Sequence, residues 1–335
     1  MDLALSDDQE RLVSVLQTFF AKESPPDRVR DAEPLGFDPE LWSKFAELGG
    51  PGIGPGAAVL DLELICEPFG AALAPVPLVD VLVCARLLEA TGAAGADLLR
   101  AATGTPPLVA TIALHPGVDG VVRRVPAGAV ADIVVGLDGD ELVAVTAPPD
   151  HRSPPNLGAT PMADRSLRGS RRVLATGWRA TELAARAADE WRILTAGALV
   201  GLAGAALDIG VAYAKSRHQF GVPIGSFQSI ARDLADAATA VDGARLLARE
   251  AAWAADEAPA DLAALASMAF LFAGRTAQQA AGTALHVHGG YGYMLEYDIQ
   301  LYYRRAKAWT LAAGDPRRGV QHLADALFGP VEGAR

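Results

Sequence analysis

Arg217 closes an apolar helical stretch and is followed by His-Gln-Phe-Gly, with Phe227 and Gln228 a little further on. A guanidinium at a helix end, beside the backbone amides of Gln219 and Phe220, can pair a pyrophosphate through charge-assisted hydrogen bonds. Later in the chain His286-Val-His288 leads into Gly289, Gly290, Tyr291, Gly292 and Tyr293. The paired glycines lack Cβ atoms, so backbone amides can approach an anionic or flat ligand closely. Each feature also has an ordinary reading. An isolated arginine there would be a solvated helix-end charge, and an isolated glycine pair a helix stop. His286 and His288 are two apart and do not share a helix face, so no metal site is expected. Tyr291, Tyr293, Tyr297, Tyr302 and Tyr303 read as interface and core aromatics, and Trp191, Trp253 and Trp309 as packing residues.

Three stretches of chain would have to position these residues. In the first, Ser6-Asp-Asp-Gln9 is a capping box, with Leu12, Val13, Leu16, Phe19 and Phe20 marking one helical face behind it. Asp38-Pro39 is a second helix start, with Leu41, Phe45 and Leu48 as its apolar stripe and Gly49-Gly50-Pro51 as its stop. Apolar helical patterns follow near 57–69, 79–91 and 95–102. From Pro106 to Thr176 short β-rich runs take over: Leu108–Leu114, Val121–Val125, Ile133–Leu137, Glu141–Ala147 and Arg171–Thr176. The Pro-, Arg- and Ser-rich segment 148–170 is the least ordered stretch by composition. Beyond Thr181, Ala/Leu-rich helical patterns cover 182–216, 225–256, 261–287 and 297–312, with a short last helix near 317–327. Long helices with short connections predict a four-helix bundle.

Composition narrows the function. The chain has 335 residues, 51% hydrophobic and 21% charged, with a net charge of -11. That acidity argues against a nucleic-acid binder, which needs a basic face. Cys66 and Cys84 both lie in apolar helical patterns, which implies neither a disulfide framework nor a metal cluster. The N-terminus shows no secretory signal, and no uninterrupted apolar run reaches the roughly 18 residues of a membrane span. A cytoplasmic protein without membrane insertion is expected.

The α–β–α order, together with Arg217-x-Gln-Phe-Gly, Phe227-Gln228, His288-Gly-Gly-x-Gly and Tyr303-Arg-Arg-Ala-Lys307, resembles the acyl-CoA dehydrogenase family. The resemblance is densest over 185–325. It implies an α+β fold: a helical N-terminal domain over 1–104, a small middle β-barrel domain over 105–180, and a C-terminal four-helix bundle over 181–335. It also implies FAD as cofactor and α,β-desaturation of an acyl-CoA thioester as reaction. By resemblance, Arg217, Gln219, Phe220, Gln228, His286, Gly289 and Gly290 would hold FAD across a subunit interface. His286 stands where the family more often has Gln.

The chain departs from the family at the chemistry. Desaturation needs a positioned general base for the α-proton, and the family's usual Glu position is Ala313 here. A minority of the family carries that Glu on the first bundle helix, where this chain has Trp191. Glu190 is one residue away, rotated by about 100° on a helix. Asp315, two residues past Ala313, is shorter. The family's flavin-contacting Trp-x-Thr element is replaced by Arg124-Val-Pro126, upstream of Ala131-Asp132, and only His115-Pro-Gly remains of a second loop. The resemblance thus implies a base-lacking chain that supports a paralogous subunit in an α₂β₂ assembly. The alternatives are a self-sufficient homo-oligomer using Glu190 or Asp315, a flavin-free structural or regulatory paralogue, and a flavin monooxygenase, which nothing in the residues specifically supports.

Overall fold

The computed structural model of the chain describes residues 4–329; the ends of the first and last sequence segments, 1–3 and 330–335, lie outside the described residues. Helix α1 (Asp7–Glu23) begins at the expected capping box. The Ser6 hydroxyl accepts from the Gln9 amide and the Gln9 side chain accepts from the Ser6 amide, which satisfies two donors the helix start would otherwise leave free. A short α2 (Pro26–Asp31) precedes α3 (Pro39–Glu47), where Asp38 accepts from the amides of Glu40 and Leu41. Leu48, expected in the buried stripe of α3, is 44% exposed; it falls on the helix C-cap, and Trp42 joins Leu41 and Phe45 inside instead. Gly49, with φ of 84°, turns the chain out of that helix.

Helices α4 (Val59–Ala71), α5 (Leu78–Ala90) and α6 (Ala96–Thr103) follow. The strands are β1 (Ala110–Ile112), β2 (Val121–Val125), β3 (Ile133–Asp138), β4 (Glu141–Thr146), β5 (Ala163–Ser166) and β6 (Arg171–Thr176). They form a four-stranded sheet in the order β1-β3-β4-β6 and a two-stranded ribbon of β2 and β5. β1 runs parallel to β3, and the other pairs are antiparallel. β5 lies inside the stretch that composition marks as least ordered. Its four residues read Ala-Asp-Arg-Ser, and their strand character comes from pairing with β2. Arg165 then braces the neighbouring loops, donating to the carbonyls of Gly128 and Ala131 at 2.6 and 2.7 Å.

Helix α7 (Gly177–Ser216) leads into a hairpin of β7 (His218–Gln219) and β8 (Val222–Pro223), then α8 (Gln228–Glu257), α9 (Leu262–His288), α10 (Ile299–Leu311) and α11 (Pro316–Phe328). α9 packs against α8, α10 and α11. Alanines such as Ala248, Ala251, Ala273 and Ala277 are fully buried on α8 and α9, and such small side chains permit close helix approach. By length and composition α7 could cross a membrane, yet 72% of its most apolar window is buried in the fold. A core helix meets both descriptions.

Two compact units emerge. One holds the residues through Pro26, Glu63–Ala74, and the residues from Arg192 on; the other holds Asp27–Leu62 and Pro75–Trp191. The first contains the hairpin and its helices, the second the sheets.

Candidate functional site

The hairpin after α7 is a two-residue connection between Gln219 and Val222, whose backbones pair. Phe220 and Gly221 occupy its tip with φ of 53° and 83°, the doubly left-handed backbone of a tight hairpin turn. Glycine adopts that geometry at little cost, whereas Phe220 is held in it while its side chain is 93% exposed. Arg217 keeps the helical hydrogen bond to the Tyr213 carbonyl at 2.8 Å, and its own carbonyl accepts from Ile224 at 2.8 Å. The arginine is therefore fixed at its backbone while it lies exposed, as do Gln219 and Gln228.

The two sequence motifs meet in space. Ala214, Ile224, Leu234 and Val287 form one buried cluster, with Leu207, Val211, Tyr213, Phe227 and Ile230 packed against it. This cluster joins the end of α7, the start of α8 and the last turn of α9. Above it the His288 ring stacks on Tyr213 with centroids 4.1 Å apart, and Tyr297 meets its edge. Nδ1 of His288 lies 2.7 Å from the Ala284 carbonyl. A carbonyl can only accept, so this nitrogen donates. His288 is thus a buried strut; His286, one turn-face away, is exposed. Tyr213 escaped the sequence reading, although its place one helical turn before Arg217 was a usable signal.

Gly289 has φ of 62°, and neither it nor Gly290 has any atom of the chain within 4 Å of where a Cβ would sit. The fold's own packing does not demand that Gly290 be bare. Its open space faces outward, as suits a ligand or a neighbouring chain. An exposed guanidinium, two bare glycines and exposed Gln219, Gln228 and His286 fit the anionic and adenosine-bearing half of FAD.

The carboxylates nearest the reaction's requirement are engaged elsewhere. Ala313 lies in the turn between α10 and α11. Asp315 is the N-cap of α11, accepting from the Arg317 amide at 3.0 Å. Glu190, its side chain 5% exposed, takes Arg86 at 2.9 Å on one oxygen and Arg186 at 3.0 Å on the other. It lines a cavity of about 220 Å³ between α5 and α7 whose other walls include Leu87, Leu183 and those two arginines. Trp191 points elsewhere, donating through Nε1 to Asp80 at 2.9 Å. Burial pushes the Asp80 carboxyl up to about 6, and the Trp191 hydrogen bond opposes that rise. No pattern in the sequence marked Asp80 as this partner. In the β section, Arg124 is exposed with φ of 52°, and its amide donates to Asp164 at 2.8 Å. Pro126 offers its carbonyl to the Thr111 hydroxyl at 2.6 Å. The Tyr302 hydroxyl caps the Ala71 carbonyl at 2.9 Å, and Trp309 stacks on Phe69, so both serve packing.

Residues 176–327 match the family model of the acyl-CoA dehydrogenase C-terminal domain. Over 97% of its length the chain is 29% identical to the acyl-CoA dehydrogenase IpdE2 of Mycolicibacterium smegmatis, all of which is covered. The fold matches a chain of the ChsE4-ChsE5 complex from Mycobacterium tuberculosis with a TM-score of 0.85 and 24% identity, covering 98% of this chain and 99% of that one. It also matches the Tcur3481-Tcur3483 steroid ACAD G363A variant with a TM-score of 0.84 and 24% identity, covering 96% and 98%. Residues 176–327 are thus an acyl-CoA dehydrogenase C-terminal domain, and over nearly its whole length the chain is similar in sequence and fold to acyl-CoA dehydrogenases, FAD-dependent oxidoreductases that act on the CH–CH bond of acyl-CoA thioesters.

Proposed function

We propose that this chain is the supporting, base-lacking subunit of a heteromeric, cytoplasmic acyl-CoA dehydrogenase, paired with a paralogous chain as α₂β₂. One observation carries the reading. The surface formed by Arg217, Gln219, Phe220 and Gly290 is exposed and fits FAD, whereas Ala313 and Trp191 occupy the positions where a base would stand. Alanine and indole cannot accept a proton from carbon. Glu190 and Asp315 are already committed to two arginines and to a helix cap.

In this arrangement Arg217 pairs the pyrophosphate, and the amides around Gly289 and Gly290 approach the flat or anionic part of the cofactor. Gln219, Gln228 and His286 donate hydrogen bonds at the rim, and Phe220 covers it. FAD held there would supply the acceptor for the hydride that leaves the β-carbon. The partner chain supplies the carboxylate that removes the α-proton, together with the flavin-ring pocket. Two fold neighbours carry paired chain names, ChsE4-ChsE5 and Tcur3481-Tcur3483, and this pairing supports the heteromeric reading.

The test is a flavin-to-protein count and a visible spectrum, first for the chain alone and then for the chain co-expressed with a Glu-bearing paralogue. Activity is assayed with both straight-chain and steroid side-chain acyl-CoA. The isolated chain should be colourless and inactive, and the complex yellow with fewer flavins than subunits. Stoichiometric flavin and dehydrogenase activity in the isolated homomer would sink the proposal. In the complex, Arg217→Ala should deplete flavin; unchanged flavin content would favour a flavin-free structural paralogue.

A further inference from the structure

Glu63 lies on α4 and is 0% exposed. Among the described residues neither of its carboxylate oxygens has a hydrogen-bond partner. The charged and titratable groups that face it are few. Glu67 and Cys66 share its helix, and Arg245 and Arg249 face it from α8. Both arginines are directed to Glu67. Arg245 reaches it at 2.8 Å, and Arg249 at 3.7 Å. From α7 the neighbour is Gly197, so close that a Cβ there would come within 2.9 Å of Glu63 Oε1. At that position α7 presents backbone and no side chain.

We propose that Glu63 is a built-in proton-holding site: the chain folds with this carboxyl neutral, and ionising it weakens the packing of α4 against α7. An unpaired carboxylate in a packed interior is strongly disfavoured, and the usual response is to keep the proton. Burial, followed by the like charge of Glu67, pushes Glu63 up to about 8, while Arg249 and Arg245 pull the other way. The sign follows from linkage. In the unfolded chain this carboxyl ionises in the ordinary carboxylate range, and in the folded chain only near pH 8. Folded molecules therefore hold one more proton between those limits. Stability contributed by the neutral form is complete below the lower limit, falls as pH rises, and levels off above the upper one. One proton corresponds to about a tenfold loss in the folding constant per pH unit.

The experiment compares the full chain with Glu63→Gln, in the assembly in which it purifies, by chemical denaturation from about pH 5 to 9. The ratio of the two folding constants should shift in favour of Glu63→Gln by about tenfold per pH unit, then flatten near pH 8. Parallel curves across the range overturn the proposal. Should Glu63→Gln fold poorly, Glu63→Met serves as an apolar replacement of similar reach. Infrared spectra of the unmodified protein give a readout independent of any variant. At pH 7 a protonated carboxylic acid band is expected, and it should fade as pH passes about 8; its absence at pH 7 also overturns the proposal.

Discussion

Glu190 shows how a carboxylate in the right neighbourhood can be unavailable for catalysis. It is buried, and its two oxygens are divided between Arg86 and Arg186. Arg86 is spent as well, since Nη1 donates to the Ala57 carbonyl at 2.6 Å. A base that must swing toward a substrate would first have to break this network. Removing one member of a buried ion pair typically costs about 3–5 kcal/mol, because the other charge is left unpaired. Glu190→Ala should therefore lower stability by about that much in urea denaturation, while α-proton exchange per correctly folded complex stays unchanged. Asp315→Ala should cost only about 1 kcal/mol, the usual worth of an N-cap, and also leave exchange intact. Abolished deuterium exchange at the α-carbon in either variant, with folding preserved, would identify that residue as a base.

At the scale of elements, α4 and the second half of α7 meet through glycines. A Cβ on Gly70 would fall 1.8 Å from the Ala198 carbonyl oxygen, and one on Gly201 would fall 1.8 Å from that of Glu67. Backbone lies against backbone there, with no flexible side chain to yield. Gly201→Ala is accordingly expected to destabilise by about 1–3 kcal/mol or more, as over-packing does; a midpoint shift in thermal or urea unfolding measures it. Many elements could be read from sequence because their causes are local. Capping at Ser6 and Asp38, alanine-rich helical periodicity and the glycine stop at Gly49 all act within a few residues. β5 could not be read, because Ala163–Ser166 has no apolar alternation and becomes a strand only when β2 lies alongside. Leu48 was misplaced for a related reason: its spacing continues the stripe, but the helix ends beneath it.

For the molecule as a whole, the exposed hairpin is a surface prepared for something outside the chain. Phe220→Ala should change the stability of the chain by no more than about 0.5 kcal/mol, because an almost fully exposed ring contributes little to folding. The same substitution should speed flavin loss from the assembled complex several-fold, measured by dilution and fluorescence recovery. Equal flavin retention would remove Phe220 from the site. The two compact units also cut the chain differently from the three segments read along it, because α1 and part of α4 join the C-terminal helices. By itself the amino-acid sequence determined the family resemblance, the positions of most helices and strands, and the alanine at position 313 where that resemblance expects a base. These depend on residue identity, short-range spacing and motif order. Only the tertiary structure decided that Arg217 and Gly290 share one support through Tyr213 and His288, that Glu190 is locked by two arginines, and that no described residue hydrogen-bonds the Glu63 carboxylate. Those outcomes depend on which distant side chains arrive at the same place, and no local pattern encodes that.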